Sequence, residues 1–509
     1  MKEDKKSILI PAFLSSAVFF IIFHGSAFTS RIYAHDYLME IYKGDAAWQI
    51  ALGRICQPVL EYLRGAISSP WIIGSLMLLW TALSVCITVT LLDIKKISVI
   101  CFISAFMSGN IIYISANASY MPWSDYYAFS LFLSLLSLWF VRKNKIYAYV
   151  ISVIMLAAVF GIYQAYVFVY ICMAMILFIL DIFKDKDIKK SLRILIISAV
   201  CFIIAGLIYL AAWKLIQKAT GIWTSNTYNG LDSLGDYEGY SLGSLIINEL
   251  KQYAAFFICP PVFVNISFHG IETNDIWKAL IAFVNILIHA WIIVSVVKKL
   301  ISERIKAFEK AAVLIILILL PFAINGVSFL SKGMVHTLMM YPCIFVYVFA
   351  LRFIDENIKE KKYSRLFLLM FLPVIWNSFI VAGQAYYKRN MQEEAAQSLV
   401  TRIICRIEET EGYEPGITKT AFAGSFEDSP YIPEPEIFKD LEIYGIGKTS
   451  ITYRGLEKEY IKYIMNVDMN LTDIDVNDER VKAMPYFPKE GSVGYIDDTL
   501  VVKIADIPQ

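Results

Sequence analysis

Apolar residues in this chain gather into long unbroken runs separated by short polar connections, and they rarely alternate or mark a single helix face. Runs of about 20 such residues are what a helix needs to cross the hydrocarbon of a bilayer. They fall near residues 8–28, 71–92, 97–114, 125–141, 146–160, 163–183, 191–213, 276–297, 311–330, 335–354 and 366–385, which predicts eleven membrane-crossing helices. The run at 146–160 is short and meets the next at Gly161-Ile162-Tyr163-Gln164, so the pair reads either as two tilted helices or as one broken element. The stretch 252–268 is apolar but interrupted by Pro260 and Pro261, and it reads as a re-entrant or interfacial segment.

Between the runs lie two long connections. In the first, residues 29–70, Tyr37, Ile41, Trp48 and Leu52 share one helical face while Asp36, Glu40 and Lys43 share another, the pattern of an amphipathic helix lying in the interface. Arg54 follows Asp36 by eighteen residues, five turns of a continuous helix, although Gly44 and Gly53 argue against continuity. A second short helix is expected to follow Pro58, ending before Ser69-Pro70, where Ser suits an N-cap and Pro the first helical position. The other connection, 217–250, is a polar loop rich in Gly, Asp and Tyr. Beyond the last run, a helical pattern over Ala385 to Glu411 extends that span, and Lys419 to Ser425, Leu441 to Tyr444 and Tyr495 to Ile504 read as strands. The expected domains are therefore a multi-span part, 1–385, and a small α+β domain, 386–509.

Composition agrees with a membrane protein, at 58% hydrophobic and 18% charged residues. Charge then predicts orientation. Basic residues concentrate in every second connection, such as Lys95 and Lys96, Arg142 to Lys145, Lys184 to Arg193, Lys298 to Lys310 and Arg352 to Arg365, and these connections are expected to be cytoplasmic. With the N-terminus inside, an odd number of crossings leaves residues 386–509 outside. That region carries 14 Lys and Arg against 23 Asp and Glu, so the overall net charge of +1 hides a basic membrane part and an acidic tail. The lysines thus follow topology, and no nucleic-acid partner is expected. The eight cysteines form no CxxC pair or Cys/His cluster, which argues against a disulfide framework or a zinc site. Asn117-Ala118-Ser119, Asn265-Ile266-Ser267 and Asn470-Leu471-Thr472 match the glycosylation sequon.

Asp36 and Glu40, one helical turn apart beside the first span, are the leading candidates for chemistry. An acid retained next to lipid needs water, a partner or a substrate. One carboxylate there can take a proton from an incoming hydroxyl, which is what transfer of a sugar with inversion requires, and a second can act as nucleophile, orient the acceptor or bind a cation. The competing reading is two solvated acids on an amphipathic helix. A phosphate leaving group would need cations on the same side. Arg54 is the first candidate because a guanidinium grips phosphate oxygens in pairs, and Arg31, Lys332 and His336 are weaker ones. Tyr120 to Tyr126, with Trp123 and Asp125, and Gly161 to Tyr166, with Tyr163 and Gln164, offer aromatic faces and polar groups for a sugar, or for packing between helices. The spans hold few polar insertions, chiefly Asn110, Asn285, His289, Asn325 and Asn377, and neither intramembrane acids nor paired repeats of an ion-coupled transporter. No Walker A loop or dinucleotide glycine fingerprint is present.

His35-Asp36 after the first span, Gly53-Arg54 with Pro58 following, Met121-Pro122-Trp123 and Gly161-Ile162-Tyr163-Gln164-Ala165-Tyr166 resemble landmarks of the bacterial type II Gtr glucosyltransferases. Met484-Pro485-Tyr486-Phe487-Pro488 through Gly491-Ser492-Val493, and Val501 to Ile504, resemble that family's terminus. The resemblance implies an all-α polytopic membrane protein of the GT-C type with an extracytoplasmic α+β domain, set in the bacterial cytoplasmic membrane. It implies transfer of a hexose, glucose above all, from a polyprenyl-phosphate donor to a surface glycan such as O-antigen, with a polyprenyl-phosphate sugar synthase and a flippase as functional partners. Asp36 matches the family's acidic position and Glu40 a second acid, with His35 standing where many members have a paired acid. No cofactor is called for; a divalent metal is compatible with the acidic loop but nothing indicates one. The alternative from another class is a transporter or flippase of a lipid-linked glycan.

Overall fold

The computed structural model describes residues 2–29, 41, 43–223, 241–258, 276–302, 305–331, 335–357, 366–426, 429, 431, 451 and 456–505. It is a mostly helical bundle with a small sheet in the C-terminal region. Among the described residues, nine helical segments are long and apolar enough to cross a membrane: Lys6–Thr29, Pro70–Leu91, Ile97–Ser119, Met121–Val141, Gln164–Asp185, Ile188–Thr220, Ala279–Ser302, Ala307–Ile324 and Leu366–Glu408. Two of the eleven expected spans differ. Ile146–Ile162 is a helix of 17 residues, and the stretch expected at 335–354 begins with two 3-10 turns, Thr337–Met339 and Tyr341–Cys343, before a helix of 14 residues, Ile344–Asn357. Apolar composition alone does not distinguish a full crossing from a short helix entered through tight turns.

The helices are numbered in chain order: α1 (Lys2–Thr29), α2 (Ala46–Ala51), α3 (Gln57–Leu63), α4 (Pro70–Leu91), α5 (Ile97–Ser108), α6 (Ile111–Ser119), α7 (Ser124–Val141), α8 (Ile146–Ile162), α9 (Val167–Asp185), α10 (Ile188–Thr220), α11 (Leu242–Ile258), α12 (Ile276–Ser302), α13 (Ala307–Ile324), α14 (Gly326–Leu330), α15 (Ile344–Asn357) and α16 (Leu372–Glu408). Apolar nearly all round, α9 sits at the centre and buries most of its residues. By contrast α10 exposes Ile196, Ile203, Leu207 and Leu215, the surface expected of a helix facing lipid.

Small residues let the helices close up. Ser15 and Ser104 pair at 2.7 Å and Ser16 and Ser108 at 2.8 Å across α1 and α5. At Gly74 on α4 an added Cβ would come within 2.5 Å of the Phe28 ring on α1. The span expected at 97–114 is broken and longer. It ends as α5 at Ser108 and restarts as α6, with Asn110 serving both halves: its amide donates to Phe106 O and Met107 O, and its Oδ1 accepts from Tyr113 N.

Other expectations change as well. The loop placed at 217–250 is in its described parts the end of α10 and the start of α11, since α10 runs to Thr220 and α11 begins at Leu242. Residues 252–258 of the expected re-entrant segment complete α11, whose face carries the apolar residues Leu245, Ala255, Phe256 and Phe257 inward; residues 259–275 lie outside the described residues. In the first connection no continuous helix joins residue 36 to Arg54. Asp45 starts α2 as its N-cap, accepting from Trp48 N at 3.0 Å, and Gly53 ends it with φ +74. Ser69 precedes the Pro70 start of α4 as expected but makes no side-chain cap. The sequon at Asn117 is buried inside α6 and closed to a glycan.

In the C-terminal region β1 (Lys419–Ala423) lies between β2 (Asn470–Leu471) and β4 (Thr499–Lys503), parallel to both, and β3 (Val493–Ile496) pairs antiparallel with β4. The single strand expected at 495–504 is thus a hairpin, turned at Asp497 with φ +55, and β2 was not foreseen. The strand expected at 441–444 lies outside the described residues. The last span continues past residue 385 as one helix, and Ala396, Leu399, Val400, Ile403 and Ile407 of α16 join the core of this region. It passes residue 385, the expected domain boundary, without a break.

The close approach of α1 and α4 is testable. Gly74→Val should push the Phe28 ring aside and cost about 1–3 kcal/mol, read as a lowered unfolding midpoint in detergent, whereas Gly383→Ala, where an added Cβ meets no atom, should leave it unchanged.

Candidate active site

Arg54, Trp123, Asp125, Tyr163, Gln164 and His336 are the candidate residues that the structure describes. The turn Leu52-Gly53-Arg54 is held from two sides. Tyr209 OH on α10 donates to Gly53 O at 2.9 Å, Trp213 Nε1 donates to Ile50 O at 2.8 Å, and Gln164 Nε2 donates to Leu52 O at 3.3 Å. Gly53 is required twice over, by its positive φ and because a Cβ there would collide with the Tyr209 hydroxyl. The turn sets the Arg54 guanidinium over the Tyr163 ring, 5.2 Å from its centroid. Gln164 is therefore a clamp on the loop that carries Arg54, and it also bonds the Tyr209 hydroxyl at 2.9 Å.

His336, at the entry to the Thr337–Met339 turn, joins this group. Its ring centroid lies 6.5 Å from that of Tyr120, and burial together with the nearby Arg54 charge pushes its pKa down to about 4. It is a neutral imidazole at physiological pH. Trp123 is buried with its ring 6.1 Å from Tyr120. Beneath them Tyr127, Tyr163, Tyr166, Tyr341 and Tyr113 form a continuous chain of rings, successive centroids lying 4.6 to 5.8 Å apart. These faces pack on one another and make a floor.

Asp125 has a different surrounding. Its carboxylate meets Arg64 Nη1 at 2.7 Å, with both side chains 3% exposed. Arg64 also donates to Pro122 O and Ser68 Oγ and lies 4.8 Å from the Tyr126 ring centroid. This pair ties α3 to the start of α7. Asp36, Glu40, Arg31, His35 and Lys332 lie outside the described residues. The chain on either side of the two acids is described: α1 ends at Thr29, and Ile41 O accepts from Ser68 N at 3.1 Å while Ile41 packs against the core of the C-terminal region. Among the described residues no group of three His, Cys, Asp or Glu side chains is assembled for a metal.

Sequence reasoning missed a second charged group. Lys388, Arg389, Gln392 and Glu393 on α16 are all buried. Arg389 Nε donates to Ala118 O at 3.2 Å and Nη1 to Gln392 Oε1 at 3.4 Å, while the Tyr460 hydroxyl bonds Glu393. The available signal was the spacing of Tyr386, Arg389 and Glu393, which places them on one helical face.

Residues 25–347 match the family model for the glucosyl transferase GtrII, covering α1's end through the Tyr341–Cys343 turn and every candidate residue named from the sequence. The chain belongs to this glucosyltransferase family. With nine such apolar helices among the described residues it is a multi-pass membrane glucosyltransferase. No curated protein and no solved structure matches it.

The buried pair yields a prediction. Asp125→Ala should cost about 3–5 kcal/mol by leaving Arg64 charged and unpaired in the interior, and the double variant Arg64→Met/Asp125→Leu should recover most of that loss. Thermal unfolding of the purified variants checks both.

Proposed function

We propose that this protein transfers a glucosyl group from a polyprenyl-phosphate donor to a surface glycan such as O-antigen, at the outer face of the bacterial cytoplasmic membrane. The observation that carries this reading is the gathering of Arg54, Tyr163 and His336 in a chain of the GtrII family. A polyprenyl donor keeps its tail in the bilayer and its sugar phosphate at the surface, so a site at the end of a bundle meets both halves.

In the proposed step Asp36 accepts the proton of an acceptor hydroxyl. The oxygen attacks C1 of the sugar, the bond from C1 to the phosphate oxygen breaks with its electron pair on the phosphate, and the anomeric configuration inverts. Arg54 faces the phosphate and balances the charge it gains. Glu40 orients the acceptor. The alternation of basic connections and the acidic tail support the outer face as the site of reaction. Within a GT-C arrangement of 1–385, the tail, 386–509, shapes the acceptor side.

Asp36→Asn should abolish transfer from polyprenyl-phosphate-linked glucose while the purified protein keeps its unfolding midpoint. Full activity in that variant overturns the assignment of the base. Movement of a lipid-linked glycan across proteoliposomes by the wild type, without any product of sugar transfer, overturns the enzyme reading in favour of a flippase.

A further inference from the structure

The turn that presents Arg54 closes on itself through backbone alone. Leu52 N donates to Trp48 O and Gly53 N to Ile50 O, both at 3.0 Å, and Arg54 N donates to Gln49 O at 2.8 Å. Side-chain bonds are therefore not needed to end α2, yet three converge on this turn, from Tyr209, Trp213 and Gln164. What they decide is where the turn stands against its neighbours.

One hydroxyl sits at the centre of these bonds. Gly53 O can only accept, so the Tyr209 hydroxyl donates to it, and the same oxygen is left to accept from Gln164 Nε2 at 2.9 Å. Gln164 Nε2 spends its other hydrogen on Leu52 O. The two carbonyls directly before Arg54 are thus fastened by one phenol and one amide. That amide follows Tyr163, whose ring lies under the guanidinium, so platform and fastening are consecutive residues of one joint. The next turn of chain is tied to the same joint by backbone, with Cys56 N donating to Gly161 O at 2.9 Å.

Tyr209 is itself held by its helix. Cys201, Ala205 and Tyr209 recur every four residues as a buried stripe on α10, a helix that exposes Leu207 and Leu210 elsewhere. The Tyr209 ring lies nearly parallel to those of Phe160 and Trp213, with centroids 5.5 and 5.9 Å away. Packing therefore aims its hydroxyl at the turn.

We propose that Tyr209 is a positioning residue for Arg54: its hydroxyl holds the turn where the guanidinium, resting on Tyr163, meets the phosphate of the lipid donor, and Trp213 is a second tie. This rests on the reading above in which Arg54 faces a polyprenyl phosphate. Gly53 is buried, so its carbonyl without the Tyr209 donor is a costly unpaired group, and the turn relaxes toward another partner. Loss of one hydroxyl on α10 then weakens phosphate binding through Arg54.

The test is a double-mutant cycle of Tyr209→Phe and Arg54→Ala on the full chain in nanodiscs, read as binding of polyprenyl phosphate, with polyprenol as the same chain lacking the charge. Tyr209→Phe should weaken polyprenyl phosphate about 10-fold, the order expected when a charge-assisted contact is misplaced, and leave polyprenol unchanged. Arg54→Ala should lose the preference for phosphate, and adding Tyr209→Phe to it should change binding by about 2-fold or less. Dissociation constants refer to folded protein, so a loss of stability alone leaves them unmoved. Should Tyr209→Phe fail to fold, Trp213→Phe removes the N–H that Ile50 O accepts and enters the same cycle. An equal weakening in both backgrounds, or none in either, overturns this inference and leaves the functional reading standing. A wild type that binds the alcohol as tightly as the phosphate overturns the polyprenyl-phosphate reading and this inference with it.

Discussion

Backbone amides and carbonyls inside an apolar bundle have no water to fall back on, so wherever a helix breaks something else must take its orphaned groups. The break between α5 and α6 shows what depends on this. Asn110 serves both helix ends, the Tyr341 hydroxyl donates to Met107 O at 2.7 Å, and His24 donates to Ser108 O. Two distant segments of chain are thereby pinned to one turn. Gly109 admits the Phe23 ring there, where a Cβ would stand 2.6 Å from it. With the break secured, α6 runs in its own direction and ends at Tyr120, whose ring faces His336.

The two arginines of the first connection divide their work in a way their similar settings in the sequence conceal. Arg64 is enclosed by Asp125, Ser68, the Pro122 carbonyl and Tyr126, and so serves the fold. Arg54 is half-buried, lies over an aromatic face and projects its charge as far as His336. A guanidinium enclosed by a buried carboxylate has little to offer a phosphate.

Much of the bundle was legible because lipid imposes one strong rule, a long apolar run for each crossing, and the nine long segments follow it. The helix at 57–63, the joint at Gly161 to Tyr166, the first strand and the outward extension of the last span were legible through proline, glycine and periodicity. What escaped depended on distant partners. Asp125 looked available to a ligand because its counter-ion lies far upstream at Arg64. The burial of Arg389 passed unread because a charged helix face gives no local sign that α6 will cover it. The pairing of β2 with β1 joins residues about fifty positions apart through only two residues, too short a run to leave a pattern.

The helix α16 has 37 residues, which at 1.5 Å each makes an uninterrupted rod of about 55 Å. Its lower part is bundle wall and its upper part is the keel of the C-terminal core, with Tyr386 and Arg389 at the passage between them. A rod without a hinge fixes the distance and heading of everything mounted on it. The C-terminal region is in this sense a gauge set at constant height above the bundle.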